Sequence, residues 1–325
     1  MFQKRGIGLV GRVLVTGGAG FIGSHLVDGL MSRGFDVVVL DDLSSGRRDN
    51  LSVHSGKPNF CLVEGDVKDK ADVEKALEGV NVVFHLAAIV SVDFSVKNPL
   101  LVNEVNVDGT LNVLRQSLKA GVKRFVYASS CAVYGEPVNL PINEEQPTKP
   151  MSPYGVTKLA AEHYCRVFYG VYGLETVCLR FFNVYGSRQV VGPYSGVIVN
   201  LIDMLKRGEE PIIYGDGEQT RDFVFVGDAI DACLRAMRCK SCVGETINVG
   251  SGVETAVNRL ADVLVELFGA CDVKPVHGEP RAGDIGRSYA DLSKAERLLG
   301  YKPEKSLMEG LTMLLRELGI KQYEY

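Results

Sequence analysis

The chain has 325 residues, 46% hydrophobic and 23% charged, with a net charge of −4 and no tryptophan. That length suffices for one large or two modest domains with a real core. The weak negative charge and scattered basic residues argue against nucleic acid or an anionic membrane as partner, and no apolar run approaches the ~20 residues of a membrane span.

The start, Met1-Phe2-Gln3-Lys4-Arg5-Gly6, is basic, but the apolar strand after it runs into glycines instead of a cleavage site. A signal peptide is not expected there, and the cytoplasm is the expected compartment. The eight cysteines lie mostly in apolar segments, as buried reduced thiols do. Cys239 and Cys242 form the one close pair; with no second Cys or His pair at ligand spacing, no metal site is expected.

Arg12 to Thr16 is a short β-branched run ending at glycines, which predicts a buried parallel strand. Gly18-x-Gly20-x-x-Gly23 follows, then an amphipathic helix from Ser24 to about Arg33, closed by Gly34. Asp36 to Leu40 is the next strand, ending at Asp41 and Asp42. A glycine turn between strand and helix lets backbone approach a pyrophosphate, whose charge then faces the helix N-terminus. An acid ending the second strand accepts hydrogen bonds from an adenosine ribose and repels a 2′-phosphate, so Asp41 favours NAD over NADP. The competing reading is a structural glycine turn with no nucleotide.

The alternation continues. Strands are predicted at Phe60 to Val63, Val80 to Leu86, Lys123 to Ala128 and Thr176 to Arg180. Helices are predicted from Lys70, from Pro99 to Ala120, and around Tyr154 to Tyr172. This rhythm predicts an α/β fold, a doubly wound parallel sheet, over residues 1–180, with a contribution from about 223–250. Residues 181–325 read mainly as a smaller α+β lobe. Asp66-Val67 and Ala87-Ala88 lie at C-terminal strand ends, which edge the ligand crevice in such sheets. Asp66 reads equally well as a helix cap.

Tyr154 and Lys158, four residues apart, share a helix face. An ammonium there would stabilise a phenolate and make the tyrosine a usable base. Alone, the pair is also what chance supplies on a solvated helix.

Six ordered motifs are found together: the glycine loop, Gly65-Asp66-Val67, His85 to Ala88, Asn106 to Thr110, Ser129 to Gly135, and Pro153 to Lys158. The chain resembles the extended short-chain dehydrogenase/reductases, and within them the UDP-sugar 4-epimerases. The resemblance implies that Tyr154 is the base, that Lys158 holds the nicotinamide ribose and lowers the pKa of Tyr154, and that Ser130 completes the triad. It implies NAD contacts at Gly17, Gly20, Phe21, Ile22, Gly23, Asp41, Asp42, Ser45, Gly46, Asp66, Val67, Leu86, Ala87, Ala88, Asn106, Ser129 and Phe182. It also implies a UDP-sugar substrate held by Ser130, Tyr154, Asn183, Val197, Arg221, Arg281 and Asp284. Guanidinium forks suit a diphosphate and a carboxylate suits a ribose diol, though each arginine alone reads as a surface residue.

At positions 131 and 132 the resemblance implies an acid pair in the dehydratases, and a glutamate at the second of them in the UDP-glucuronate decarboxylases; here they are Cys131 and Ala132. The absence of those acids favours 4-epimerisation through a transient 4-keto sugar. A UDP-glucuronate 4-epimerase, a dehydratase, a decarboxylase, or a non-catalytic NAD-binding regulator are the competing readings. By resemblance, the small Ser288 leaves room for an N-acetyl group at C2, although neighbouring Tyr289 permits a one-residue misalignment. The resemblance further implies a homodimer built on the Pro99 and Tyr154 helices.

Overall fold

The β-branched runs do become strands, as expected where both sheet faces are covered and stiff side chains lose little on ordering. The computed structural model describes residues 11–190, 196–270, 273–280 and 285–320. Strand β1 (Arg12–Thr16) leads through the glycine turn into α1 (Phe21–Met31). Next come β2 (Asp36–Asp41), β3 (Phe60–Glu64), α2 (Lys70–Ala76) and β4 (Val80–His85). A helical stretch then holds α3 (Val92–Lys97), α4 (Pro99–Asn103), a π-helical turn (Glu104–Asp108) and α5 (Gly109–Lys119). The sequence predicts one regular helix from Pro99; the π turn is the difference, and such turns mark places where a helix re-aims a side chain.

Strand β5 (Arg124–Ser130), α6 (Pro153–Tyr172), β6 (Glu175–Phe181) and β7 (Asn183–Tyr185) follow. The remaining chain is α7 (Val197–Lys206), β8 (Ile212–Tyr214), β9 (Thr220–Arg221), β10 (Phe223–Phe225) and α8 (Val226–Arg238). After these come β11 (Thr246–Val249), β12 (Thr255–Ala256), α9 (Val257–Phe268), β13 (Val276–Gly278), α10 (Ser293–Leu299) and α11 (Leu307–Glu317).

Seven strands form one parallel sheet in the order β11-β6-β5-β4-β1-β2-β3. The order reverses between β1 and β4, and in sheets of this kind the crevice outside the C-terminal strand ends at that point is where ligands bind. Alternation along the strands separates two cores. Val13, Val15, Val37 and Val39 pack with residues of α1, α8 and α9, whereas Leu14, Val38 and Leu40 pack with residues of α2, α5 and α6. Outside this sheet the strands pair two by two, β7–β10, β9–β12 and β8–β13, and residues of α9 and α11 share the core packed on the β1–β2 face.

Helix α6 is delimited by chemistry that fixes its start. Ser152 Oγ accepts from Gly155 N at 3.1 Å, Pro153 occupies the first turn, and Gly173 ends the helix at φ 74°. Tyr154 and Lys158 therefore sit in its first two turns, at the crevice.

Most described cysteines are buried or half-buried free thiols, but Cys61 on β3 is exposed. Cys239 is half-buried at the end of α8 and Cys242 is buried, whereas Cys271 lies outside the described residues.

Candidate active site

The glycine loop is crowded by its own surroundings. Gly17 has φ +68°, and a Cβ there would lie 2.8 Å from Ala87 N. A Cβ on Gly23 would lie 2.1 Å from Gly17 O, so helix and turn pack at a distance only glycine allows. Gly20 is the N-cap of α1, which has neither a side-chain cap nor an acid in its first turn, at Phe21 and Ile22. That end of the helix suits an anion.

Asp41 is buried at the end of β2. One carboxylate oxygen accepts from Ala19 N at 2.9 Å and the other from Leu43 N at 2.9 Å. Burial raises its pKa, while these two amide bonds work against the shift. Each oxygen retains acceptor capacity, because a carboxylate has about four lone-pair sites. Asp42 is exposed and accepts from Ser44, and Ser45 is exposed beside it. A Cβ on Gly46 would lie 2.8 Å from Asp41 Oδ1, so this loop folds back onto the same carboxylate. After β3, Asp69 caps α2, accepting from Ala71 N and Asp72 N. That frees Asp66 from the capping role the sequence leaves open; its Oδ1 accepts from Lys68 N at 2.8 Å. Val67 is buried against Gly109.

A polar chain runs from the end of β1 to α6. Thr110 Oγ1 donates to Asn106 O at 2.6 Å, so it accepts from His85 Nε2 at 2.9 Å. His85 Nδ1 then accepts from Thr16 Oγ1 at 2.7 Å. Burial holds the pKa of His85 down, at about 3, so the imidazole is neutral. The π turn aims Asn106 at the loop after Leu86-Ala87-Ala88, where its amide exchanges bonds with Ile89 N at 2.8 Å and Ile89 O at 3.0 Å. Asn106 Nδ2 also donates to Thr157 Oγ1 at 3.0 Å, on α6 between Tyr154 and Lys158.

Tyr154, Lys158 and Ser130 are brought together where β5 meets α6. Ser95 Oγ accepts from Tyr154 N at 3.1 Å. Lys158 is 3% exposed; its Nζ donates to Ala128 O at 2.7 Å and stands 5.9 Å from the centre of the Tyr154 ring. Ser130 Oγ accepts from Ala132 N at 3.2 Å. Burial pushes the Tyr154 phenol up to about 12, and hydrogen bonding to Ser130 only partly offsets it. That shift is set by loss of water around the phenol, while the nearby ammonium of Lys158 is engaged with a backbone carbonyl. Lys158 itself is pulled down to about 8, by burial first, with Glu162 opposing. Glu162 and its partner Arg180 are absent from the residues the sequence singles out; the only signal was a carboxylate one further helical turn along.

Phe182 is buried just past β6, and Asn183 opens β7, its N–H donating to Asp222 O at 2.9 Å. Val197 is the first residue of α7. Arg221 on β9 donates to Thr220 O and to Ile285 O, each at 2.7 Å, and its charge works against the upward shift of the Cys131 thiol, the residue after Ser130. Burial pushes that thiol up to about 11. Asp222 is fully buried and gathers Ser251 N, Ser251 Oγ, Gly252 N and Ala290 N within 3.1 Å, tying Arg221 to two loops. Arg281 and Asp284 lie outside the described residues.

These residues fit a dinucleotide: an uncapped helix end, a glycine turn with no room for side chains, and an acid with spare acceptors at the neighbouring strand end. Among the described residues, no group of His, Cys, Asp or Glu is arranged to hold a metal ion.

Comparison with known proteins agrees with this geometry. The chain is 42% identical over 303 residues to a UDP-glucose 4-epimerase of Mycolicibacterium smegmatis, covering 92% of this chain and 96% of that one. A crystal structure of UDP-glucose 4-epimerase from Thermotoga maritima, with UDP-glucose, superposes with a TM-score of 0.89 at 41% identity, over 95% of this chain and 98% of that one. A UDP-N-acetylglucosamine 4-epimerase from Methanobrevibacter ruminantium, in complex with UDP-N-acetylmuramic acid, gives 0.90 at 38% identity, over 95% and 98%. The family profile described as NAD dependent epimerase/dehydratase matches residues 13–250, which span the glycine loop, the Tyr154–Lys158 helix and the last sheet strand. With sequence, sheet order and crevice in agreement, the chain belongs to the NAD dependent epimerase/dehydratase family.

Proposed function

We propose that this protein inverts C4 of a UDP-hexose, interconverting UDP-glucose and UDP-galactose or their N-acetyl forms. The observation that carries the reading is Ser130, Tyr154 and Lys158 at one strand end with no carboxylate at Cys131 or Ala132. Bound NAD supplies a hydride acceptor that afterwards acts as donor. Tyr154, as phenolate, takes the proton of the sugar 4-hydroxyl, and Ser130 shares that hydrogen bond. Lys158 holds the cofactor ribose and offsets the phenolate charge. Arg221 with Arg281 holds the diphosphate and Asp284 the uridine ribose while the hexose turns over; Asn183 and Val197 flank it. Tyr154 then returns the proton to the same oxygen on the inverted sugar. The neutral, half-buried Cys131 thiol, pushed up to about 11, is a poor acid for expelling water.

By the resemblance, the small Ser288 leaves room for an N-acetyl substituent at C2. The test is incubation with UDP-galactose, UDP-N-acetylgalactosamine and UDP-galacturonate, with and without added NAD, followed by product separation. The C4 epimer without loss of water or carbon dioxide is expected. Release of either, or no conversion of any of the three, overturns the proposal.

The same reading includes a homodimer. On α3 and α4, Val96 is 62% exposed and Leu100 79%, and on α6 Val156, Val167 and Val171 form an exposed stripe at helical spacing. An apolar face made by neighbouring helices suits an isologous contact between copies. The many free thiols suit a reducing compartment, so the cytoplasm is the proposed location and galactose metabolism the proposed setting.

A further inference from the structure

Glu162 lies one turn beyond Lys158 and two beyond Tyr154, on the same face of α6. It is buried, and its carboxylate accepts three bonds: from Ser129 Oγ at 2.5 Å, Arg180 Nε at 2.9 Å and Arg180 Nη2 at 2.7 Å. Ser129 directly precedes Ser130 on β5, and Arg180 is on β6. The Arg180 guanidinium lies 4.6 Å from the centre of the Tyr134 ring, and Tyr134 OH donates to Asn248 Oδ1 on β11 at 2.7 Å. One carboxylate thus ties the helix to two adjacent strands, β5 and β6, and its guanidinium partner packs on Tyr134, which is in turn bonded to β11. Apolar packing alone tolerates small rotations and slides of a helix, whereas a forked guanidinium–carboxylate pair fixes distance and angle together.

The lysine has few other charges near it. Its ammonium faces the Tyr127 ring on β5 at 5.0 Å, the Tyr154 ring, and Cys165 further along α6. His85 on β4 is neutral, Cys131 lies beside Tyr154, and Cys178 and Arg180 on β6 stand beyond Glu162. We propose that Glu162 is a positioning residue for the Tyr154–Lys158 pair: through Ser129 and Arg180 it fixes α6 against the end of β5, and it keeps a negative charge one turn from the lysine ammonium. This rests on the function proposed above.

The competing role is a buried ion pair that matters only for stability. Glu162→Gln removes the charge but strands Arg180, so a Glu162→Gln/Arg180→Met double variant is made beside it, with Glu162→Asp as the conservative control. Without Glu162 the lysine loses its proton earlier, so the alkaline fall of kcat moves down by about one pH unit in Glu162→Gln, and by a smaller but measurable step in the double variant, which also loses the Arg180 charge. Glu162→Asp keeps the wild-type limb with a lower kcat. The pH dependence of NAD+ affinity, measured by calorimetry on nucleotide-stripped protein, shifts in parallel and needs no turnover. Lower thermal stability with an unmoved limb overturns the proposal, as does a wild-type limb in the double variant. If the wild type converts no UDP-sugar, the function fails instead, and the NAD+ affinity profile still decides the role of Glu162.

Discussion

Replacing Lys158 with Met should change stability in a way that depends on pH. The folded protein lowers this lysine from 10.5 to about 8, chiefly because burial removes water from the ammonium. Below pH 8 both folded and unfolded chains carry the proton, and the fold bears a constant penalty of about 3 kcal/mol, from ~2.5 units at 1.36 kcal/mol each. Between 8 and 10.5 the unfolded chain binds more protons than the folded one, so wild-type stability rises with pH and the penalty fades. Lys158→Met carries no such penalty. It does leave Ala128 O without its donor, which costs about 1–3 kcal/mol at every pH. The net gain at pH 7 is therefore small, but the difference between the two proteins should fall by about 2 kcal/mol between pH 7 and pH 10. Urea unfolding of both proteins at the two pH values measures this directly, and effects common to both cancel. A stability difference that stays constant across that range refutes the reasoning, because the fold would then not favour loss of the lysine proton.

Tyr154→Phe should lower turnover by roughly 10²–10⁴-fold while leaving unfolding unchanged within about 1 kcal/mol; near-normal turnover would sink the assignment of the base. The Tyr154 phenol, at about 12 from the protein's own groups, should give a tyrosinate difference spectrum near neutrality only with NAD+ bound. A neutral-pH signal in nucleotide-free protein, absent from Tyr154→Phe, would contradict the effect of burial. Gly17→Ala places a Cβ 2.8 Å from Ala87 N at φ +68°, so NAD+ binding by calorimetry should weaken at least about tenfold, with strain of order 1–3 kcal/mol. Leu100→Glu should yield monomers in sedimentation if the exposed face of α3, α4 and α6 is the contact between copies; an unchanged sedimentation coefficient argues for another surface.

What could be read from the residues was what local sterics impose. Gly17, Gly20 and Gly23 are spaced by the turn they make, and Asp41 follows from where the second strand must end. Tyr154 and Lys158 follow from helical spacing. What could not be read depends on partners far along the chain. The π turn at Glu104–Asp108 adds one residue without erasing the apolar stripe, so the local pattern still looks like one regular helix while Asn106 is re-aimed. Asp69, not Asp66, caps α2, a choice between acids three residues apart that is made by backbone geometry. Arg180 is on another strand from Glu162, and nothing in either neighbourhood announces the pair. The upward shift of the Tyr154 phenol was not legible either, because it comes from burial, a tertiary property that helical spacing does not carry.

The crevice is bounded by buried carboxylates whose value lies in geometry more than in stability. Asp41 holds the glycine loop through Ala19, and Asp222 holds Arg221 against the 251–252 and 290 segments. Burial raises both pKa values even though backbone amides pull the other way. A carboxyl raised on folding adds stability at acidic pH that is lost as pH rises through the raised value, so at neutrality neither charge is a net stabiliser. Removing one would nonetheless strand the amides it satisfies. The same holds for Lys158, which the fold disfavours as an ammonium yet seats with a carbonyl and a nearby carboxylate. Groups that a fold keeps at a cost to itself, each locked by several directional bonds at the mouth of one crevice, are what a site needs when reacting atoms must be placed and not merely buried.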